Sequence, residues 1–524
     1  QREHGDLATN LAMAIAKPLD RPPRHVAEAL ADRLRTHPAI ERADVAGPGF
    51  LNLTIRAEAV AAILQQIETE GERFGTTDLG RGRRVNVEFV SANPTGPLHV
   101  GHARNACVGD AVARILQANG YEVTREFYFN DAGVQMDLLG QSLRARVLQR
   151  LGRDAPVPES GYHGDYLLEV AEKFVSESPG LSESTDRLAD ESACRDFGSR
   201  EIMEWIKRDL RDLGVGFDVF TLERAFHASE AVEMSLAVLR DRGELYESEG
   251  AVFLRSSKYG DEKDRVVIKA DGSYTYLAPD IAYHEDKYRR GFDRLINVWG
   301  ADHHGYVPRL RAAIQALGHD PASLEIIIIQ MVNILKDGEV QRLGKRLGNF
   351  ITLRQMIDEL GAGVVRWFFL MRSADSDMTF DWALAQDHSE RNPVFKVQYA
   401  HARICSVLRQ SAERGITFGG LDAADLSLLT AGEEQALLRH LPLYRDRVRT
   451  ACEELAPHVI TAHLLELASL YNSYQTLGRR DDRFRILRAG APAETQARLA
   501  LITGVRRVLA NGLGLLGITP LERM

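Results

Sequence analysis

Nowhere in the 524 residues does an apolar run approach the roughly 18–20 residues that a membrane-crossing helix needs. No signal peptide is evident either. Cysteine is scarce: Cys107, Cys194, Cys405 and Cys452 are scattered, without a Cys-x-x-Cys pair. That scatter argues against a disulfide scaffold and against a structural zinc, and makes the cytoplasm the expected compartment. Positive charge is short as well, the formal net charge being -9. The chain-wide basic character common in nucleic-acid binders is missing, so any such surface must be local. Arg445-Asp446-Arg447-Val448-Arg449 and Arg479-Arg480 are candidates for it, or else plain solvated helix faces. An initiating Met is also absent, and the natural amino terminus is expected to lie before Gln1.

What remains is a globular composition, 44% hydrophobic and 27% charged. The length exceeds what one core supports and predicts two to four domains. The most informative stretch is 84–116. Arg84-Val85-Asn86-Val87-Glu88-Phe89-Val90 alternates and is rich in β-branched residues, so it reads as a strand. Asn93-Pro94-Thr95-Gly96-Pro97 must turn. From His102 small and apolar residues recur at helical spacing. His99-Val100-Gly101-His102 therefore stands where a buried strand turns into a helix, the place where parallel α/β sheets bind phosphate. Gly101 permits close approach of a ligand to the backbone, and two imidazoles three residues apart share one side of the first helical turn. Donated hydrogen bonds from them strengthen as phosphate charge grows in a transition state. A capping or metal-binding pair is the alternative; two His without a nearby Cys make a poor metal set.

The chain from 1 to 78 reads as a small α+β unit, with helices over 7–16 and 26–34 and strands over 40–45 and 49–55. The next unit, 79–375, continues with a strand over 121–129, giving a βαβ unit, and a polar, helical insertion at about 136–220. Further strands are predicted at 217–224, 252–255 and 265–269, with Asp271-Gly272 as a hairpin turn. Residues 294–300 form a buried strand that ends in the polar cluster Gly300-Ala301-Asp302-His303-His304. The very apolar 325–332 is expected to be the central strand. Lys336 to Asn349 is a Gly-rich cationic loop. From 376 to 524 the pattern is helical throughout and predicts a bundle.

The His-Val-Gly-His segment resembles the His-Ile-Gly-His signature of class I aminoacyl-tRNA synthetases. The longer run Glu88 to His102, followed by Asn130-Asp131-Ala132-Gly133, resembles the arginyl-tRNA synthetases in particular, of bacterial type. The likeness covers nearly the whole chain. It implies a Rossmann-like catalytic domain with a parallel sheet, a small amino-terminal tRNA-contacting domain and an all-α anticodon-binding domain. It also implies activation of L-arginine by ATP with Mg2+, transfer to tRNA(Arg), activation that itself needs tRNA, and a monomer. The cationic loop is similar to the second class I signature, with Arg342 for the first Lys and Gly344 for the Ser; Lys345 keeps the second Lys, which meets the ATP phosphates.

The resemblance further assigns His99, His102 and Lys345 to catalysis and Gly101, Gly300, Asp302, Arg342 and Arg346 to the ATP site. Glu88, Asn93, Tyr276 and Asp280 match residues that hold arginine, whose guanidinium needs carboxylates. Asp280 beside a guanidinium is expected to stay ionised; as an alternative or in addition, it caps a helix starting at Ile281. Phe50 and Asn52 match contacts to an unpaired tRNA base, with core and turn roles as the other reading. Tyr471 and Tyr474 stack on anticodon bases or belong to the core. Two other classes stay open: a different class I enzyme or nucleotidyltransferase, and a catalytically dead RNA-binding relative.

Overall fold

The computed structural model describes residues 5, 7–130, 133–178, 190–223, 230–341 and 351–524. At the amino end, strands β1 (Leu7–Thr9), β2 (Ile40–Ala46) and β3 (Phe50–Ile55) form an antiparallel sheet in the order β1-β3-β2. Helices α1 (Leu11–Ala16) and α2 (Pro23–Arg35) cover it around their own small core of Ala12, Ala27, Ala31, Ala43 and Leu51. The helix expected from residue 7 thus starts only at Leu11, because Leu7–Thr9 pairs with Leu51–Leu53. Non-local pairing overrides local helical preference there.

The following helix, α3 (Ala57–Glu70), packs instead on the large central core. That core surrounds a five-stranded parallel sheet of β4 (Arg84–Glu88), β5 (Glu122–Phe129), β6 (Val219–Leu222), β10 (Arg294–Gly300) and β11 (Leu324–Ile329), in the order β11-β10-β4-β5-β6. Every pairing is parallel, with Val85 opposite both Val123 and Arg294. Helix α4 (Val100–Ala118) links β4 to β5. Helices α5 (Val134–Arg150), α6 (Tyr166–Glu177) and α7 (Glu191–Asp212) fill most of the expected insertion before β6.

Strand β4, not the apolar β11, is central; β11 is at the edge, with four of its six residues only half-buried. An unbroken apolar run predicts two covered faces, which β11 fulfils only in part, and says nothing of a strand's place in the order. Between β6 and β10 stand α8 (Ala231–Asp241), an antiparallel sheet of β7 (Leu245–Ser248), β8 (Ala251–Leu254) and β9 (Arg265–Ile268), and α9 (Leu277–Arg289). Asp271-Gly272 turns as expected: Gly272 has φ +82° and Ile268 bridges to Tyr274. Helix α10 (Val307–Leu317) joins β10 to β11.

After β11 a second small sheet forms from β12 (Val332–Lys336), β13 (Glu339–Gln341) and β14 (Met378–Asp381). Helices α11 (Leu353–Leu360) and α12 (Ala362–Leu370) lie between its strands. The carboxyl-terminal part is helical, its long members being α14 (Pro393–Glu413), α17 (His458–Arg480) and α18 (Pro492–Leu515), after the short α13 (Trp382–Gln386) and with α15 (Gly432–His440) and α16 (Leu443–Glu453) between them. Buried Arg366 on α12 rivets these parts together. It donates to Leu516 O (2.8 Å) in the bundle, to Leu213 O (3.3 Å) after α7, and to Asp110 (2.5 Å) on α4.

Candidate active site

At the carboxyl end of β4 the backbone leaves the extended region. Val90 and Ser91 have φ of +66° and +43°, conformations that a β-branched residue such as Val90 avoids and that cost of order 1–3 kcal/mol each. Side-chain bonds hold them there. Val90 N–H donates to Asn105 Oδ1 (2.7 Å), and Asn105 Nδ2 donates to Val298 O (2.8 Å). Ser91 Oγ accepts from Tyr128 N–H (3.2 Å) and donates to Glu88 Oε1 (3.0 Å). The start of α4 is thereby tied to the ends of β4, β5 and β10.

His99 is the cap of α4, its Nδ1 accepting from Gly101 N–H (3.1 Å), while His99 N–H reaches His102 Nδ1 at 3.4 Å. The two rings stack with centroids 3.9 Å apart. With Nδ1 of each ring facing a backbone N–H, the proton of the neutral imidazoles belongs on Nε2, which becomes the donor. Capping and anion binding thus coexist in one pair. Glycine at 101 leaves room for a ligand, since a Cβ there would already sit 3.1 Å from the His99 ring.

A cavity of about 480 Å3 opens between this helix start and the ends of β10 and β11, in the range of ligand sites. His99, Gly101 and His102 form one wall; Gly300, Asp302 and the stretch Gln330–Val332 form the other. A Cβ at Gly300 would fall 2.5 Å from Asp302 Oδ1 and would turn that side chain aside. Sequence reading placed Gly101, Gly300, Asp302 and, within its polar cluster, His303 here but missed Asn105, Gln330 and Met331. The carboxyl end of the apolar strand 325–332 was the available signal for the last two. Also missed was Arg104, fully buried on α4, which donates to Gln330 O (2.8 Å), Ser373 O (2.8 Å) and Ser376 O (2.9 Å).

Beside the cavity lies a cluster of acidic residues, linked to it by Ser91. Glu88 is buried, its second oxygen receiving Lys287 Nζ at 2.6 Å. Asp280, half-buried in the first turn of α9, accepts from Tyr306 O–H (2.6 Å). Because α9 begins at Leu277, Asp280 is inside the helix and does not cap it. Desolvation pushes its carboxyl up to about 7; the Tyr306 bond opposes this, Glu88 and Glu223 add to it, and Lys287 opposes it. In the protein alone the protonated form therefore competes with the ionised state that a guanidinium needs at neutral pH. His284 Nδ1 bonds to Asp280 O (2.8 Å) and its Nε2 to Asn297 Nδ2 (2.8 Å). Burial brings its pKa down to about 4, so it is neutral. Beneath, buried Glu126 accepts from Asn86, Thr221, Tyr283 and Arg290. Burial would raise its pKa, but Lys287, Thr221 and Arg290 outweigh burial and hold it low.

Asn93 bridges the turn to α5, donating to Gln135 Oε1 (2.9 Å) and accepting from Asn130 N–H (3.1 Å). Tyr276 precedes α9 by one residue and is 82% exposed, one turn from Asp280. Arg342, Lys345 and Arg346 lie outside the described residues. Both flanks of their segment are placed, however: Gln341 ends β13, and Thr352 bridges to His99. In the small amino-terminal sheet Phe50 is 42% exposed and Asn52 half-buried, on the face of β3 opposite buried Leu51. Tyr471 and Tyr474 correct the anticodon-stacking expectation. Both are in the core of the bundle, Tyr474 O–H donating to Glu434 (3.0 Å) and Tyr471 O–H accepting from Gln475 (2.7 Å), so neither ring has a free face for a base.

Known proteins match this arrangement along the whole chain. The family described as tRNA synthetases class I (R), catalytic domain, matches residues 63–365. The DALR anticodon binding domain matches 397–524, and the arginyl tRNA synthetase N terminal domain matches 1–55. The arginine–tRNA ligase of Geobacillus kaustophilus is 46% identical, covering 100% of this chain and 93% of the relative. A Campylobacter jejuni structure provisionally described as an arginyl-tRNA synthetase is 33% identical with TM-score 0.80, covering 90% of this chain and 100% of that one. Thermus thermophilus arginyl-tRNA synthetase, 23% identical with TM-score 0.76 over 100% of this chain and 95% of its own, shares the fold. The chain belongs to the class I arginyl-tRNA synthetase family.

Proposed function

We propose that the chain is an arginine–tRNA ligase. It activates L-arginine with ATP and transfers the arginyl group to the 3' end of tRNA(Arg). One observation carries the reading: a cavity behind stacked histidines adjoins, through Ser91, a cluster of carboxylates whose charge suits a guanidinium.

ATP enters the cavity with its Mg2+, its adenine against Gly101 and the β11 end and its ribose within reach of Asp302. The arginine guanidinium meets Asp280, with Tyr276 and Asn93 at the rim and Glu88 behind. The arginine carboxylate attacks the α-phosphorus and pyrophosphate leaves; no protein nucleophile is required. His99 and His102 donate to phosphate oxygens as charge builds, and Lys345, with Arg342 and Arg346, supplies cations. A terminal tRNA hydroxyl then attacks the arginyl carbonyl and AMP leaves. Six residues of extended chain from Ile351 reach about 20 Å, enough for Lys345 to enter the cavity from its anchor beside His99. The exposure of Phe50, with half-buried Asn52 on the same face, supports a contact with an unpaired tRNA base there. Of the domain limits 1–78, 79–375 and 376–524, the first runs past the separate amino-terminal core, since α3 packs on the central core, and the last parts β14 from its partner β12. Four free, buried cysteines fit a cytoplasmic protein, and we take it as a monomer.

Arginine-dependent ATP–pyrophosphate exchange, run with and without tRNA, tests the proposal. Exchange with arginine once tRNA is added is expected. Exchange with another amino acid, or none with any, overturns it.

A further inference from the structure

Two of the carboxylates near Asp280 are matched with cations, and Asp280 is not. Arg290 pairs with Glu126 at 2.8 Å and Lys287 with Glu88 at 2.6 Å. Among the described residues no cation is paired with Asp280, whose side chain receives the Tyr306 hydroxyl. Lys287 has no exposed side-chain surface and lies 4.3 Å from the centre of the Tyr283 ring. It is on the same helix as Asp280, two turns on.

We propose that Lys287 is a positioning residue of the arginine site: from inside the protein its ammonium neutralises Glu88, leaving Asp280 to carry the charge that the guanidinium meets. The inference rests on the arginine-ligase reading. A buried pair of this kind adds little net stability, because desolvation offsets attraction. Its consequence is electrostatic. Were Lys287 neutral, the Glu88 charge would act on Asp280 without opposition and favour the protonated, non-binding form. Were Glu88 neutral, the ammonium would face the incoming guanidinium as a like charge. With both present, the pocket fits a monocation and rejects a neutral isostere such as citrulline, which leaves Asp280 unpaired. The other groups facing Asp280 are His284 on its own helix, Tyr128 on β5, Glu223 after β6 and Tyr306 before α10. Neutral His284 does not titrate near pH 7, and burial holds both tyrosines far above it.

The test compares the pH midpoint of arginine binding, by calorimetry and by exchange, in the parent, Lys287→Met and Glu88→Gln, with the KM for ATP as control. In Lys287→Met the midpoint moves up by about one pH unit, with about ten-fold weaker arginine binding near neutrality. In Glu88→Gln the midpoint moves down. Lys287→Arg stays within a few-fold of the parent. A purely structural role lowers Tm and leaves both midpoints in place, and that result overturns the proposal. If Lys287→Met does not fold, the Glu88→Gln midpoint decides by itself: an unmoved value is fatal. Loss of arginine-dependent exchange in the parent itself removes the ligase reading first, and this inference with it.

Discussion

Thr352 pairs with His99 in an isolated antiparallel bridge, and Leu353 N–H donates to Leu98 O at 2.8 Å. The chain that follows the cationic segment is therefore fixed to the very turn that carries the histidine pair, although some 250 residues separate them. Lys345 stands seven positions before Thr352, and in the proposed reaction its ammonium meets the triphosphate. Lys345→Ala is expected to lower kcat by about 100-fold while raising the KM for ATP only a few-fold, the mark of a contact that strengthens in the transition state. Exchange and aminoacylation kinetics check this; an unchanged kcat removes Lys345 from the chemistry.

Asp280 dictates a pH dependence. Its carboxyl, pushed up to about 7, is largely protonated at pH 6, whereas a guanidinium needs it ionised. Arginine affinity should be about ten-fold weaker at pH 6 than at pH 8, with the KM for ATP nearly flat. For stability the sign is opposite to the usual carboxylate. The unfolded chain ionises near the ordinary 3.8 and the fold only near 7, so ionising Asp280 costs stability progressively as pH rises between those values. Asp280→Asn is therefore expected to raise Tm at pH 8 in the absence of arginine, while weakening arginine binding by two to three orders of magnitude, roughly the cost of removing one partner of a buried charge pair. Thermal scans at pH 5 and about pH 8 separate these; a lower Tm for the variant at alkaline pH refutes the desolvation account.

How much of this site is readable in the sequence depends on range. His99, Gly101 and His102 are legible because their roles are local: a strand, a turn and a helix start lie within about twenty consecutive residues. Lys287 and Arg104 are not, since nothing near them in the chain indicates that one meets Glu88 and the other Gln330, each about 200 residues away. Strand β11 was misplaced for a related reason: composition reports covered faces, and order in a sheet comes from long-range pairing. Tyr471 and Tyr474 were undecidable because an aromatic at helical spacing fits a core face and a binding face equally well. For Tyr474 the partner that settles it, Glu434, belongs to another helix.

Arg104 offers a test of that long-range architecture. Its guanidinium grips three carbonyls and no ion pair forms among the described residues, so burial lowers its pKa despite Asp377 and Asp375. One of those carbonyls belongs to Gln330, in the wall of the nucleotide cavity. Arg104→Met keeps the volume of the side chain's stem and strands the carbonyls at about 1–3 kcal/mol each at most. We expect a lower Tm and a KM for ATP raised by about ten-fold, with the arginine KM little changed. An altered arginine KM with an unaltered ATP KM would falsify the assigned connection to Gln330.

The bundle makes the final distinction. Tyr474 and Arg498 both donate to Glu434, at 3.0 and 2.8 Å, and all three side chains are buried. Glu434 also receives Ala431 N–H at 2.9 Å, so one carboxylate ties α17 and α18 to the start of α15. Removing one donor leaves the carboxylate with its remaining partners, which limits the damage to about 1.5–3 kcal/mol, the worth of a hydrogen bond to a charged group. Tyr474→Phe should therefore lower Tm by several degrees and leave the KM for tRNA within two-fold or so. A ring that stacked on a base would behave in the opposite way: phenylalanine stacks as well as tyrosine, so stability and KM would both hold, whereas Tyr474→Leu would raise the KM for tRNA. Measuring Tm and the tRNA KM for both variants decides between a tie inside the bundle and a contact with the anticodon. The burial of Tyr474 favours the tie.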